Sequence, residues 1–312
     1  MKHFLLYSGS SGVNNKLSAH RLPFDPETGI AGFEYAMNVL IDQTGEVVTR
    51  KGSSPVVLGS FHSCYPYKDG FLVIRDDTES SSLLLARVTE TGSVVLHGIR
   101  SGLSHGAKMS YCMVTDRVYY MNDYNFGVTD GETSEPWPVS VFLRDTEAEI
   151  INTFAGKHLD ILSGRFLISK NDEVFFTEPN QWGLIREATG RSRFESRVLM
   201  IASVQSGAFV SDENGIYFMS GADPNKWQAR KVLDYPAVEY AVNPKLINPS
   251  FFGLKTTQLS VLFGTVNGPV IGLPDGSCYN LIDKNVTMPN DCGLTSGSIM
   301  VVDETLIIQS GE

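Results

Sequence analysis

Six copies of a short three-strand unit, three tryptophans at equal spacing and the near absence of helical periodicity predict an all-β protein, a β-propeller of about six blades. The unit runs as an apolar strand, a turn of Asp, Ser, Asn or Gly, a second apolar strand, another polar turn and a third strand. Its copies are Cys64-Tyr-Pro-Tyr-Lys-Asp-Gly-Phe-Leu-Val-Ile74, Tyr111-Cys-Met-Val-Thr-Asp-Arg-Val-Tyr-Tyr-Met121, Leu159-Asp-Ile-Leu-Ser-Gly-Arg-Phe-Leu-Ile168, Ile201-Ala-Ser-Val-Gln-Ser-Gly-Ala-Phe-Val210, Val261-Leu-Phe-Gly-Thr-Val-Asn-Gly-Pro-Val-Ile271 and Ile299-Met-Val-Val-Asp-Glu-Thr-Leu-Ile-Ile308. With Gly70, Arg117, Arg165, Gly207, Gly268 and Glu304 as equivalent turn positions, the intervals are 47, 48, 42, 61 and 36 residues. These straddle the period of about 40–50 residues of a propeller blade. Trp137, Trp182 and Trp227 stand 45 residues apart each time, two of them in the near-copies Glu178-Pro-Asn-Gln-Trp182 and Asp223-Pro-Asn-Lys-Trp227, with Glu135-Pro-Trp137 as a shortened relative.

The elements follow in chain order. Residues 1–35, with Gly9-Ser-Ser-Gly12, Asn14-Asn15 and Pro23-Phe-Asp-Pro26, read as an extended arm or strap, and residues 36–312 as one propeller domain. Met37 to Asp42 and Glu46 to Arg50 form a hairpin around Gln43-Thr-Gly45. The last repeat holds too few strands for a blade, so these N-terminal strands are expected to complete it, closing the ring and removing a bare sheet edge. Runs of four to six Val, Ile, Phe and Tyr between Gly, Asn, Asp and Pro turns suit twisted, sandwiched strands. Thr146 to Asn152 and Trp182 to Glu187 are the exceptions, each able to form a turn or two of helix. A seventh blade is the alternative, because the interval of 61 residues has room for a degenerate unit around Val238 to Leu254.

Composition excludes several functions. The 312 residues are 42% apolar, 19% charged and 10% aromatic, with 25 Lys and Arg against 35 Asp and Glu, a net charge of −10. A phosphate-binding surface needs clustered cations, and the only basic stretch is Arg186, Arg191, Arg193 and Arg197, read as a solvated loop; no nucleic-acid partner is expected. No apolar run approaches the roughly 18 residues of a membrane span, so membrane insertion is not expected. Serines 8, 10 and 11 interrupt the first apolar run before a signal segment forms, and Cys64, Cys112, Cys278 and Cys292 lie too far apart for a disulfide framework or a CxxC metal site. Folding in a cytoplasm and no cofactor are the expectations.

Catalytic signatures are missing. G-x-S-x-G does not occur, and His3, His20, His62, His97, His105 and His158 form no HExxH or close pair. Asp116, Asp172, Asp212, Asp275 and Asp303 recur in blade turns, where acidic residues bond to the backbone. A glycosidase needs two of them roughly 5–9 Å apart on the substrate face. Asn122-Asp-Tyr-Asn125 and Asp275-Gly-Ser carry oxygen ligands without the spacing of a calcium loop. The candidate binding residues are therefore Trp137, Trp182, Trp227, Asn180 and Asn225: the Pro-Asn-x-Trp copies place aromatic platforms at the blade period, and the same rings equally suit interblade packing.

Gly12-Val-Asn-Asn15, Ala36-Met-Asn-Val-Leu-Ile-Asp42 and Gly45-Glu-Val-Val-Thr-Arg-Lys-Gly52 follow the order G-x-N, A-x-N-V-x-I-D, G-x-[I/V]-x-x-R-x-G. Val118-Tyr-Tyr-Met-Asn122, Gly127-Val-Thr-Asp-Gly131, Gly164-Arg-Phe-Leu-Ile168, Val174-Phe-Phe-Thr-Glu-Pro179, Gly215-Ile-Tyr-Phe-Met-Ser-Gly221 and Asp275-Gly276 continue it. In this order, over roughly residues 10 to 285, the chain resembles a family of tailed-bacteriophage virion proteins from the tail or head–tail region. Thr177 stands where the family has Ser before Glu-Pro, and Lys51 follows Arg50 where a second Arg is common. The resemblance implies a non-enzymatic structural β-propeller of a tail, collar or baseplate, synthesised in the host cytoplasm and present in several copies in the virion. Its implied partners are tail-tube, collar, baseplate or fibre subunits, with loops facing a host-surface glycan or protein. The competing class is a carbohydrate-binding or glycoside-hydrolysing propeller.

Overall fold

Alternating and continuous apolar runs separate the strands by depth in the sheet, and a computed structural model shows where each lies. It describes residues 9–22, 24–25, 30–33, 39–41, 46–49, 57–142, 150–151, 154–186, 188–284, 297–302 and 305–310. The chain divides into two compact units, one of Met1–Pro55 with Asn280–Cys292 and one of Val56–Tyr279 with Gly293–Glu312.

In the smaller unit, β1 (Gly9–Val13) pairs parallel with β3 (Ile30–Phe33), and β2 (Phe24–Asp25) pairs antiparallel with the same strand. The segment read as an extended arm thus contains a three-stranded sheet. The Lys16 ammonium reaches the Asp283 carboxylate at 3.2 Å. The expected hairpin is present as β4 (Val39–Ile41) and β5 (Val47–Thr49), while its turn at Gln43-Thr-Gly45 lies outside the described residues.

Among the described residues the larger unit is a β-propeller of five four-stranded blades. Blade one is β6 (Ser60–Tyr67), β7 (Gly70–Asp76), β8 (Ser80–Val88) and β9 (Val94–Ser104); blade two is β10 (Ser110–Val114), β11 (Arg117–Met121), β12 (Phe126–Thr129) and β13 (Ser134–Glu135). A small sheet follows, in which β14 (Ser140–Phe142) pairs with β15 (Ile150–Ile151) and, in parallel, with β19 (Leu184–Arg186). Blade three is β16 (Leu159–Leu162), β17 (Arg165–Lys170), β18 (Glu173–Phe176) and β20 (Arg191–Arg193); β19 leaves it for the small sheet before β20 returns. Blade four is β21 (Val198–Val204), β22 (Gly207–Asp212), β23 (Gly215–Ser220) and β24 (Gln228–Leu233), and blade five is β25 (Ala237–Val242), β26 (Val261–Thr265), β27 (Gly268–Gly272) and β28 (Cys278–Asn280). The chain then forms the two-stranded hairpin β29 (Gly297–Val302) and β30 (Thr305–Ser310).

Five blades replace the expected six or seven, for a physical reason in each case. The sixth repeat, Ile299 to Ile308, is only the β29–β30 hairpin. The supposed seventh unit is the innermost strand of blade five, β25, followed by a loop around a 3-10 turn at Pro249–Phe252. That insertion also explains the long interval, because Gly207 opens the second strand of its blade whereas Gly268 opens the third. Neither expected helical stretch is helical where described: Ile150–Ile151 and Leu184–Arg186 are strands of the small sheet.

Burial follows strand position. The first strands pack on one another in sequence, β10 on β16, β16 on β21, β21 on β25 and β25 on β29. Every residue of β22, β26 and β27 is buried, since the middle strands are covered by blades on both faces, whereas Gln228 to Lys231 of the outer strand β24 are exposed. The core is a series of interblade layers. Leu72, Ile74, Leu83 and Tyr120 pack between blades one and two; Met121, Trp137, Phe166 and Ile168 between two and three; Leu167, Phe176, Ala208 and Val210 between three and four; Phe209, Phe218, Phe263 and Val270 between four and five.

In such a meander the turns between strands one and two and between three and four share one end, the turn end. The entries to the first strands and the second-to-third turns share the other, the entry end. Bonds at the turn end latch neighbouring blades. Tyr67 donates its hydroxyl to the Asp116 and Asp130 carbonyls of blade two, Arg165 of blade three reaches Asp223 of blade four at 3.8 Å, and Ser206 of blade four donates to the Pro274 carbonyl of blade five.

Candidate functional site

The tryptophan copies form corners at the turn end. Trp137 is 5% exposed, with its ring edge on Tyr119 (5.0 Å between centroids) and Phe166 (5.1 Å), and its Nε1–H donates to the Trp182 carbonyl at 3.0 Å. Trp182 is half-buried against Phe166 at 5.2 Å. The two corners meet so closely that a Cβ on Gly183 would lie 2.4 Å from the Pro138 carbonyl. Trp227 belongs to the next layer, half-buried 6.1 Å from Phe176, with Nε1–H on the Gly221 carbonyl.

Asn180 and Asn225 are exposed. Asn180 takes the left-handed conformation (φ 56°), which asparagine tolerates better than most residues, and donates its N–H to the Gly164 carbonyl. Asn225 donates from its backbone and side-chain amides to the Asp223 carboxylate, which caps the 3-10 turn Pro224–Lys226. Arg165 lies 3.8 Å from both Glu178 and Asp223, the leading residues of the two full copies. The structure therefore brings Trp137 and Trp182 together, holds Trp227 one layer on, and leaves the two asparagines in solvent.

The turn end also carries the loop between β25 and β26. Asn248 accepts from the Ser250 N–H, Gly253 closes the 3-10 turn at φ 76°, and Ile247 bridges to Ser260. This ordered loop leaves Leu246, Phe251 and Leu259 at 44%, 59% and 54% exposure. Its signal in the sequence is the interval of 61 residues, which equally accommodates the alternative of a seventh blade.

At the entry end, four blades contribute to an ionic cluster that sequence reasoning missed. Glu239 forms an ion pair with Lys157 Nζ at 2.7 Å and stands 3.5 Å from His158 Nε2 and 4.0 Å from Arg197 Nη1. Burial opposes ionisation of Glu239, yet hydrogen bonds and charge from His158 and Lys157 pull its carboxyl down to about 2. Burial lowers the His158 and Lys108 pKa values. Tyr240 holds a left-handed φ of 63°, rare for an aromatic residue, with its ring 4.9 Å from His158 and the Lys108 and Lys157 ammoniums about its face at 5.8 and 6.0 Å. The irregular step between Ala237 and Val242 of β25 produces that geometry.

Asp160, on β16, has its pKa raised by burial, but its oxygens are taken by the N–H groups of Ile161 (2.8 Å) and Ser203 (2.5 Å), so it braces blade three to blade four. The recurrent turn aspartates do not converge. Asp116 and Asp275 lie at the turn end, Asp172 and Asp212 at the entry end, and Asp303 outside the described residues. Asp212 and Asp275 bond to backbone N–H groups two or three residues on, and Asp172 binds Arg193 at 2.8 Å. Asn122 likewise accepts the Tyr124 and Asn125 N–H groups. Among the described residues no three His, Cys, Asp or Glu side chains gather to hold a metal, and no helix is long and apolar enough to cross a membrane.

Each arginine of the basic stretch faces a carboxylate: Arg186 with Glu178, Arg191 with Glu173, Arg193 with Asp172 and Arg197 with Glu213. Cys112 is buried and Cys278 half-buried, whereas Cys64 is exposed on β6.

No protein-family model matches the chain, and no curated protein does. Among solved structures it is similar to the WD40 domain of Neurospora crassa Pan2, at 10% identity and a TM-score of 0.44 over 81% of this chain and 75% of that one. Apo AztD from Citrobacter koseri gives 9% and 0.42 over 86% and 78%, and Saccharomyces cerevisiae Sqt1 gives 11% and 0.39 over 64% and 66%.

Proposed function

We propose that this β-propeller is a structural component of a tailed-bacteriophage virion, docked through its turn end to tail, collar, baseplate or fibre subunits. The virion assignment rests on the ordered resemblance from Gly12 to Gly276. The docking assignment rests on the loop between β25 and β26, which a cap, a bridge and a left-handed glycine hold in shape while Leu246, Phe251 and Leu259 face water. Apolar side chains held rigidly in solvent suit burial against a protein partner. Repetition in a particle turns modest contacts into avidity.

Light scattering on the purified protein, alone and mixed with purified tail or connector proteins of the same particle, tests the reading. A fixed-ratio complex that is lost in the variant L246D/F251D/L259D is expected. A protein that ignores those subunits and binds host polysaccharide refutes it in favour of the second reading, a glycan-binding propeller. Half-exposed Trp227 beside exposed Asn225 favours that alternative.

A further inference from the structure

Blade one holds a serine, a histidine and an aspartate in series at its entry end, none of them part of the loop or of the Glu239 cluster. Ser63 sits where the pairing of β6 with β7 steps from His62↔Ile74 to Tyr65↔Leu72, so two residues, Ser63 and Cys64, oppose one. Its φ is 52°, a left-handed conformation that costs a residue with a Cβ about 1–2 kcal/mol. Ser63 Oγ lies 2.8 Å from His62 Nδ1, and His62 Nε2 lies 3.3 Å from Asp76 Oδ1.

The acceptors fix the proton positions. The Asp76 carboxylate also accepts the Ser81 hydroxyl and the Gly106 N–H, and is held below the usual range although burial opposes it. A carboxylate only accepts, so the imidazole proton sits on Nε2 and the Nδ1 lone pair faces the Ser63 hydroxyl. Burial is the largest influence on His62, with Asp76 pulling the other way and the charges of Lys108 and His105 adding to it; the net pKa is lowered, and the ring is neutral at pH 7. The Met109 N–H donates to Ser63 Oγ at 2.8 Å and fixes that oxygen. A hydroxyl, a neutral imidazole and an ionised carboxylate in this order are the parts of a nucleophile with its base and orienting group, recognised by geometry rather than by sequence order.

We propose that Ser63, His62 and Asp76 form an acyl-transfer site for small, activated esters. Ser63 Oγ bonds to the ester carbonyl carbon while its proton passes to His62 Nδ1. The bond to the leaving oxygen breaks, the alcohol takes that proton, and an acyl-Ser63 remains. Water then adds to the acyl carbon, giving a proton to Nδ1, and the carboxylic acid departs as Ser63 regains the proton. Cys64, exposed beside the serine, is the rival nucleophile. This activity goes beyond the docking reading and involves none of its residues, so either can fail alone.

The test is incubation of the full-length protein with a fluorophosphonate probe, followed by peptide mapping, together with hydrolysis of p-nitrophenyl acetate. One adduct on Ser63 is expected, retained in Cys64→Ala. Labelling should slow by about 10²–10⁴-fold in His62→Gln. The rate should fall with acid around a midpoint below the usual imidazole value, which a merely structural histidine would not produce. An unlabelled Ser63 in the unaltered protein, an adduct on another residue, or unchanged hydrolysis by Ser63→Ala overturns the proposal; labelling of the unaltered protein decides it even if a variant misfolds.

Discussion

Replacing Phe166 by alanine removes the ring on which two tryptophan corners rest. Phe166 is fully buried, with Tyr119, Trp137 and Trp182 at centroid distances of 4.8, 5.1 and 5.2 Å. Truncating a core phenylalanine costs about 3–5 kcal/mol, less where neighbours close the cavity. Here they are restrained, Trp137 by its bond to the Trp182 carbonyl and Gly183 by its contact with Pro138. Each lost aromatic pair adds about 0.5–1.5 kcal/mol, and such increments are not additive among touching rings, so the expected loss is about 4–5 kcal/mol. That is about a quarter or more of the stability of an ordinary domain of about 5–15 kcal/mol. Phe176→Ala is the control: it removes a ring equally deep but with one aromatic neighbour, Trp227 at 6.1 Å, and is expected to cost about 3–4 kcal/mol. Urea unfolding followed by tryptophan fluorescence measures both, because all three tryptophans lie in the propeller unit. A loss below about 2 kcal/mol for Phe166→Ala, or a larger one for Phe176→Ala, would refute the argument that the paired corners form the stiffer layer.

Gly183→Ala should cost about 1–3 kcal/mol in the same assay, because its Cβ would force the Pro138 carbonyl aside. Asp223→Ala removes the cap of the Pro224–Lys226 turn and a neighbour of Arg165, with an expected loss of about 1 kcal/mol. Glu239 supports the fold above its ordinary value of 4.5, and that support disappears as pH falls toward about 2. Asp160, with a raised pKa, works in the opposite direction, so the measurement is the difference between the unaltered protein and Glu239→Gln in urea midpoints from pH 7 to 2. The difference should be largest at neutral pH and shrink below pH 4.5.

The blade period was legible because each blade repeats the same local demands: apolar residues for strands covered on both faces, and small polar residues for the turns between them. Val261 to Ile271 shows the limit of that signal. Its two strands and turn match the pattern of Ile201 to Val210, but they are the second and third strands of a blade rather than the first and second. Side-chain pattern reports that a segment is a buried strand and does not report its rank in the sheet. For that reason the long interval leaves room for the alternative seventh unit where the structure has the loop holding Leu246, Phe251 and Leu259, whereas the sixth repeat, Ile299 to Ile308, has the strand pattern of a blade but is only the β29–β30 hairpin.

The sequence by itself determined the all-β class, the approximate period and the equal spacing of Trp137, Trp182 and Trp227, since these depend on distance along the chain. Only the tertiary structure decided that Trp137 donates to the Trp182 carbonyl, that Lys157, His158, Arg197 and Glu239 share one cluster, and that Asp76 stands behind His62 and Ser63. Those groups are separated by 14 to more than 80 residues and meet only when blades stack or strands pair. Their convergence is set by sheet register and by irregular steps such as those at Ser63 and Tyr240, which no short-range pattern encodes.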